Sequence, residues 1–310
     1  MVGTGLLAEC VVNISEGRRA AVIDEAASAG ADLVLDVHSD AVHNRTVLTL
    51  GGPLEPVEDA ARRVVRVAVA RIDLRRHTGV HPRFGAVDVV PFVAPGSDWG
   101  APPPDVVVGA RDRLARWAGA ELELPCFLYG PERSLPDVRR TAFVSLPPDT
   151  GPDQAHPTAG ACAVGARPVL VAYNLWITAG CGSPGDGSPG DGSPGDGSPS
   201  AVLSVARALA TRLRGPDLRA LGFARPDGAQ VSINIIGPAA RPLAALYDAV
   251  AAGAVARGCR VHRAELVGLV PRAVLSQANR ERWAELDLDE DRTIEARMAA
   301  HGHELRDPPR

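Results

Sequence analysis

Residues 32–50 read DLVLDVHSDAVHNRTVLTL. Asp32 to Ser39 and Arg45 to Leu50 are two β-rich runs joined by a polar turn, so they read as consecutive strands. Upstream, Leu6 to Ile14 alternates as a strand and Ser15-Glu16-Gly17 ends it. Arg18 to Ala29 then has a helical pattern, with Gly30 as its C-cap. Downstream, Glu55 to Ile72 places Val57, Ala60, Ala61, Val64, Val65 and Ala68 on one helical face. Val87 to Val93, dense in valine, is the next strand. The order is β-α-β-β-α-β. Asp105 to Gly119 adds a helix and Pro125 to Leu128 a short strand.

The same order then repeats. Val169 to Ile177 is a strand, Ala201 to Leu213 a helix, and Leu218 to Ala224 and Gln230 to Ile236 are strands. Arg241 to Arg257 is a helix and Val261 to Leu269 a strand. The expected fold is α+β: two ferredoxin-like βαββαβ subdomains, each an antiparallel sheet with helices on one face. The boundary falls near Arg167 to Val169, giving 1–168 and 169–310. The unit Gly-Ser-Pro-Gly-Asp starts at Gly182, Gly187 and Gly192, and a fragment follows at Gly197. It offers nothing apolar to bury, so 182–199 reads as a disordered loop between strand and helix.

The 310 residues are 45% hydrophobic and 23% charged, enough apolar material for a core and too much for a disordered chain. No apolar run approaches the roughly 18 to 20 residues of a membrane span. A net charge of −4 gives no basic field, and aromatics at 4% give few stacking platforms, so nucleic acid is not an expected partner. All 33 basic residues are Arg, which excludes a Lys Schiff base and a P-loop Lys. The five Cys form no CxxC pair, and buried thiols of a reducing, cytoplasmic setting are the default. Met1 to Glu9 lacks the features of a signal peptide.

Four of the eight His fall in Asp36 to His81. In Asp36-Val37-His38-Ser39-Asp40 the period of two puts Asp36, His38 and Asp40 on one strand face. His43-Asn44-Arg45 follows in the turn, and His77-Thr78-Gly79-Val80-His81-Pro82-Arg83 is the second segment. This cluster has three readings: a metal site, an acid/base site, or structural hydrogen bonding. The glycines and prolines of Asp149 to Gly160 permit close approach of backbone to a flat ligand, or make an ordinary inter-domain loop. There is no Gly-x-Ser-x-Gly elbow and no dinucleotide fingerprint.

Glu9 to Arg18, His43-Asn44-Arg45, His77 to Pro91 and Pro125 to Gly130 resemble, in order, motifs of the formiminotransferase family. So do Gly151 to Arg167 with Tyr173-Asn174, Gln230-Val231-Ser232 and Leu266 to Pro271. The segment His-x-Gly-x-His-Pro-Arg-x-Gly-Ala-x-Asp-Val, from His77, is the most specific. The resemblance implies transfer of a formimidoyl group from N-formimidoyl-L-glutamate to N5 of tetrahydrofolate in histidine breakdown, with tetrahydrofolate as co-substrate and no metal. It places the catalytic His on His81. It places the folate stretch on Gly151, Pro152, Asp153, Gln154, Ala155, His156, Pro157, Thr158, Ala159 and Gly160. The chain is too short to add the cyclodeaminase domain of some members, so a single activity is expected.

One His can serve both proton transfers, because an unperturbed imidazole titrates near neutrality. Both substrates carry carboxylates, for which Arg45, Arg83 and Arg167 are candidate anchors. Asp36 or Asp40 is a candidate to orient a His, and Asn44 joins the substrate-binding candidates. Trp176 stands where the family usually has a small polar residue, His43 is an additional His, and the segment before Gly151 is short. Two other readings stay open: a folate- or amino-acid-binding module, and a metal-dependent hydrolase using Asp36, His38, His43 and His81. The expected partners are the two small substrates, with no nucleic acid and no membrane; a homodimer is left open.

Overall fold

The structure, a computed structural model, describes residues 6–95, 101–180, 198–238 and 241–305. Their contacts divide them into two units. One runs to Val169 and takes up the chain again from Glu295; the other is Leu170–Ile294. The residues from Glu295 onward, expected with the second subdomain, thus group with the first.

The first unit contains β1 (Leu7–Ile14), α1 (Ala20–Gly30), β2 (Val34–Asp40), β3 (Arg45–Pro53), α2 (Leu54–Arg71) and β4 (Val87–Val93). It continues with α3 (Asp105–Glu121), β5 (Cys126–Tyr129), α4 (Leu135–Thr141) and β6 (Cys162–Ala166). The strand order is β2-β3-β1-β4-β6-β5. The first four strands pair antiparallel in the ferredoxin-like order. β6, however, pairs in parallel with both β4 and β5. The sheet is therefore mixed rather than antiparallel throughout. α3 is a crossover that returns the chain to the end of the sheet where β4 began, and a helical crossover leaves the strands on either side of it parallel.

α2 buries all six residues of its expected face, against Cys10, Val12, Leu48 and Leu50. The left-handed residue after α1 is Ala31 (φ 52°), not Gly30, which remains helical. In β1 and β4, Asn13 pairs with Val89 and Ile14 with Val87, so Asp88 is the extra residue of a β-bulge. Arg45, Val47 and Thr49 of β3 pair with Asp40, His38 and Asp36 of β2, which places these six on one face, as the alternation predicts. α8 (Ile294–Ala300) brings the chain back to this unit. Its Met298 is fully buried where Gly51 of β3 leaves room; a Cβ there would come within 2.6 Å of the methionine methyl.

The second unit contains β7 (Leu170–Ala179), α5 (Pro199–Leu213), β8 (Leu218–Arg225), β9 (Gly228–Ile236), α6 (Leu243–Val255), β10 (Cys259–Val267) and α7 (Arg272–Leu275). Its strand order, β10-β7-β9-β8, is antiparallel and again ferredoxin-like. Val171, Tyr173, Leu175 and Ile177 of β7 point into the core shared with α5 and α6. Residues 182–197 of the repeat lie outside the described residues. Its last two residues belong to α5: Ser198 is the N-cap, its Oγ accepting from Ala201 N at 3.2 Å, and Pro199 occupies the first turn. Among the described residues, no helix is long and apolar enough to cross a membrane.

Candidate active site

The β2–β3 turn is held from both sides by one side chain. Asn44 adopts a left-handed conformation (φ 50°), which Asn tolerates better than most residues. Its Oδ1 accepts from Gly17 N at 2.9 Å and its Nδ2 donates to Thr78 O at 3.0 Å. His77 Nε2 lies 2.9 Å from Asn44 O. Asp40 closes the same turn, accepting from Val42 N and His43 N at 2.7 and 2.8 Å. The turn and the His-rich segment are thereby locked together. The His81 ring meets the buried His43 ring edge-on, with centroids 5.7 Å apart.

Beside them lies an ionic cluster. Asp88, 0% exposed, accepts from Arg45 Nη1 at 2.5 Å, Arg139 Nη2 at 2.6 Å and Phe84 N at 2.5 Å. Arg45 also donates to Asn13 Oδ1 at 2.9 Å. Burial alone would raise the Asp88 pKa, but the two guanidiniums outweigh it and hold the carboxyl ionised. Pro82 O accepts from Arg139 Nη1 at 3.3 Å and lies 2.5 Å from His81 Nδ1. A carbonyl only accepts, so Nδ1 carries the proton and Nε2 keeps its lone pair. His81 is not the neutral-range imidazole expected from its type. Burial, then Arg45, Arg139 and His43, push it down to about 3, with Asp88 opposing. At physiological pH the ring is uncharged.

The glycine-rich stretch meets this segment through the backbone. Ala86 N donates to Ala159 O and Leu74 N to Thr158 O, both at 2.8 Å, and Gly85 bridges Gly160. The approach is so close that a Cβ on Gly85 would come within 1.9 Å of Ala161 O. His156 closes its own turn: its N and O pair with Gly160, and its Nδ1 accepts from Ala159 N at 3.0 Å. Gly151 to Ala155 are exposed. Asp153 lines a cavity of about 310 Å³ with Phe143, Val144, Leu146 and Pro147. α4 links the two places, since it carries Arg139 to Asp88 and leads into Phe143.

The structure thus brings together His81, Arg45, Asn44 and Asp40, and stitches Thr158 to Gly160 onto their segment. Arg83 is exposed and donates to His77 O at 3.0 Å. Asp36 lies four residues along β2 from Asp40. Arg167 lies beyond the far end of β4, its N donating to Phe92 O at 3.1 Å, and it acts on buried Glu9. Four residues of strand, roughly 13 Å, separate Asp88 from Phe92. Among the described residues, no three His, Cys, Asp or Glu side chains converge as a metal site requires. Sequence reading included Asp88 in the His77 motif but gave it no role, and it passed over Arg139. An Asp inside the apolar run Val87 to Val93 was the available signal, because a buried carboxylate demands partners.

The family model described as formiminotransferase domain, N-terminal subdomain, matches residues 7–167, and that described as formiminotransferase domain matches 208–304. A Streptococcus pyogenes protein named glutamate formimidoyltransferase is 32% identical over 299 residues, covering 87% of this chain and 90% of its own length. One of the same name from Thermoplasma acidophilum is 29% identical, covering 94% and 97%. The formimidoyltransferase-cyclodeaminase of Gallus gallus is 32% identical over 88% of this chain, which spans 51% of that longer protein. With matches of this extent to both halves, the chain is a transferase belonging to the formiminotransferase family.

Proposed function

We propose that the protein transfers the formimidoyl group of N-formimidoyl-L-glutamate to N5 of tetrahydrofolate, with His81 moving the proton. The observation that carries this reading is the placement of His81, its Nδ1 2.5 Å from Pro82 O and its ring beside the guanidiniums of Arg45 and Arg139, which disfavour its charged form. N5 attacks the amidine carbon, and the new N5–C bond leaves N5 cationic and strongly acidic. Even a weakly basic imidazole accepts a proton from such a centre. The resulting imidazolium, disfavoured by burial and by Arg45 and Arg139, is a strong acid toward the departing glutamate nitrogen. The C–N bond to glutamate breaks as that nitrogen takes the proton, so no proton is gained or lost overall. Asp88 holds Arg45 and Arg139 in place, and the exposed residues Gly151 to Ala155, with the cavity at Asp153, suit a flat heterocycle.

The test is an assay of the purified protein with both substrates. Donor consumption is expected only when tetrahydrofolate is present, and chelation of metals is expected to leave it unchanged. Release of glutamate without tetrahydrofolate would replace transfer with hydrolysis.

A further inference from the structure

α4 carries two adjacent arginines that do different things. Its start is fixed by Ser134, whose Oγ accepts from Asp137 N at 3.3 Å, and by Pro136 in the first turn. Val138 seats it, fully buried in the apolar cluster with Phe127 and Ala163. Arg140 then faces water and pairs with Asp137 of its own helix. Arg139 reaches 51 residues back along the chain instead, and its guanidinium forks. Nη2 donates to Asp88 Oδ2 at 2.6 Å and Nη1 to Pro82 O at 3.3 Å. Asp88 is already paired with Arg45 and accepts from Phe84 N, so neutralising it does not require a second cation. Arg139 is held there although its Nε is buried without a partner, which costs stability.

The other arm of the fork meets the one backbone group that faces the His81 ring nitrogen. The proline ring fixes φ of residue 82, but ψ, which aims its carbonyl, is left to hydrogen bonds. Pro82 and Arg83 are exposed, and a surface carbonyl without a protein donor turns to water. Pro82 O takes two donors here, Arg139 Nη1 and His81 Nδ1. Arg45, the other guanidinium on Asp88, spends its second bond on Asn13 and makes none to this carbonyl. We infer that Arg139 is a positioning residue for His81: anchored on Asp88, it aims the Pro82 carbonyl at Nδ1 and so keeps Nε2 as the acceptor of the ring. Its bearing on catalysis rests on the transfer reaction proposed above. A guanidinium suits the task because its two arms diverge in a rigid plane, whereas an ammonium supplies the charge without the fork.

Nuclear magnetic resonance of the full chain, labelled with ¹⁵N in its histidine rings, reads the tautomer without any substrate; the His81 signals are those missing from His81→Asn. The native protein is expected to show one tautomer, protonated at Nδ1. Arg139→Met is expected to show a mixture of the two tautomers. Arg139→Lys, which keeps a cation for Asp88, is expected to show the mixture as well, and it serves as the test if the methionine variant fails to fold. In steady-state kinetics both variants are expected to lose about 10- to 100-fold in kcat, with the tetrahydrofolate KM within about twofold of native. A native protein with mixed tautomers would overturn the inference, as would a native-like tautomer in either variant. So would a loss confined to KM, which would make Arg139 a binding residue. Lack of tetrahydrofolate-dependent turnover in the native protein, with the tautomer still set by Arg139, would overturn the proposed transfer reaction and leave the aiming of His81 standing.

Discussion

His81 combines a fixed tautomer with an environment hostile to its charged form. Replacing it with Asn is expected to lower kcat by about 10² to 10⁴ while tetrahydrofolate still binds, read by single-turnover kinetics beside equilibrium binding. The same environment sets the pH dependence. A base is active above its pKa in the folded protein, so kcat/KM is expected to hold as pH falls from about 8 through 6.5, the ordinary imidazole value. A loss centred at 6.5 would show an imidazole in water instead. Asp88→Asn keeps the shape but strips the charge that Arg45 and Arg139 face, and is expected to cost about 3 kcal/mol at neutral pH. Because the Asp88 pKa is lowered on folding, its stabilisation is present at neutral pH and fades as pH falls below the usual carboxylate range. Urea unfolding of native and variant protein should therefore converge in acid.

Strands and loops explain what a linear reading reached and what it missed. Val87 to Val93 and α2 announce themselves by composition and by a face of Val and Ala, and they lie where expected. β6 was unmarked: Cys162-Ala-Val-Gly-Ala166 is built of small residues, and its strand state comes from parallel partners on both sides. The Asp88 bulge is equally silent, since it depends on how β1 meets β4. The His77 to Pro82 motif was legible, but its fastening to Asn44, and to Arg139 through Pro82 O, is long-range and invisible to spacing. The seam between residues 84–86 and 158–161 is another such contact. Gly85→Ala inserts a methyl where Ala161 O already sits, and is expected to cost about 2 kcal/mol. It should also raise the tetrahydrofolate KM more than it lowers kcat, as steady-state kinetics would report.

Across the molecule, the same sheet architecture is used twice with different polar faces, and the pattern of repeats in the sequence was enough to foresee it. The return of the chain through α8 was not foreseen, because seven residues of ordinary helix carry no address. That helix brings Glu295 near Glu9, which is 5% exposed on β1. Burial raises Glu9 to about 7 from 4.5, Arg167 lowers it and Glu295 raises it again. A carboxyl whose pKa rises on folding weakens the fold as pH climbs between those values, here by up to about 3 kcal/mol. Glu9→Gln is accordingly expected to raise the melting midpoint at pH 8 and to leave it unchanged near pH 5, where the native residue is already protonated in the folded state. Equal shifts at both pH values would place the effect in packing.

The seat of Met298 also has a meaning for biosynthesis. A ribosome delivers β1 to β6 early, yet the residue that fills the groove at Gly51 follows the entire second unit out of the exit tunnel. Until then the groove beside Leu35 and Gly51 lacks the side chain that fills it.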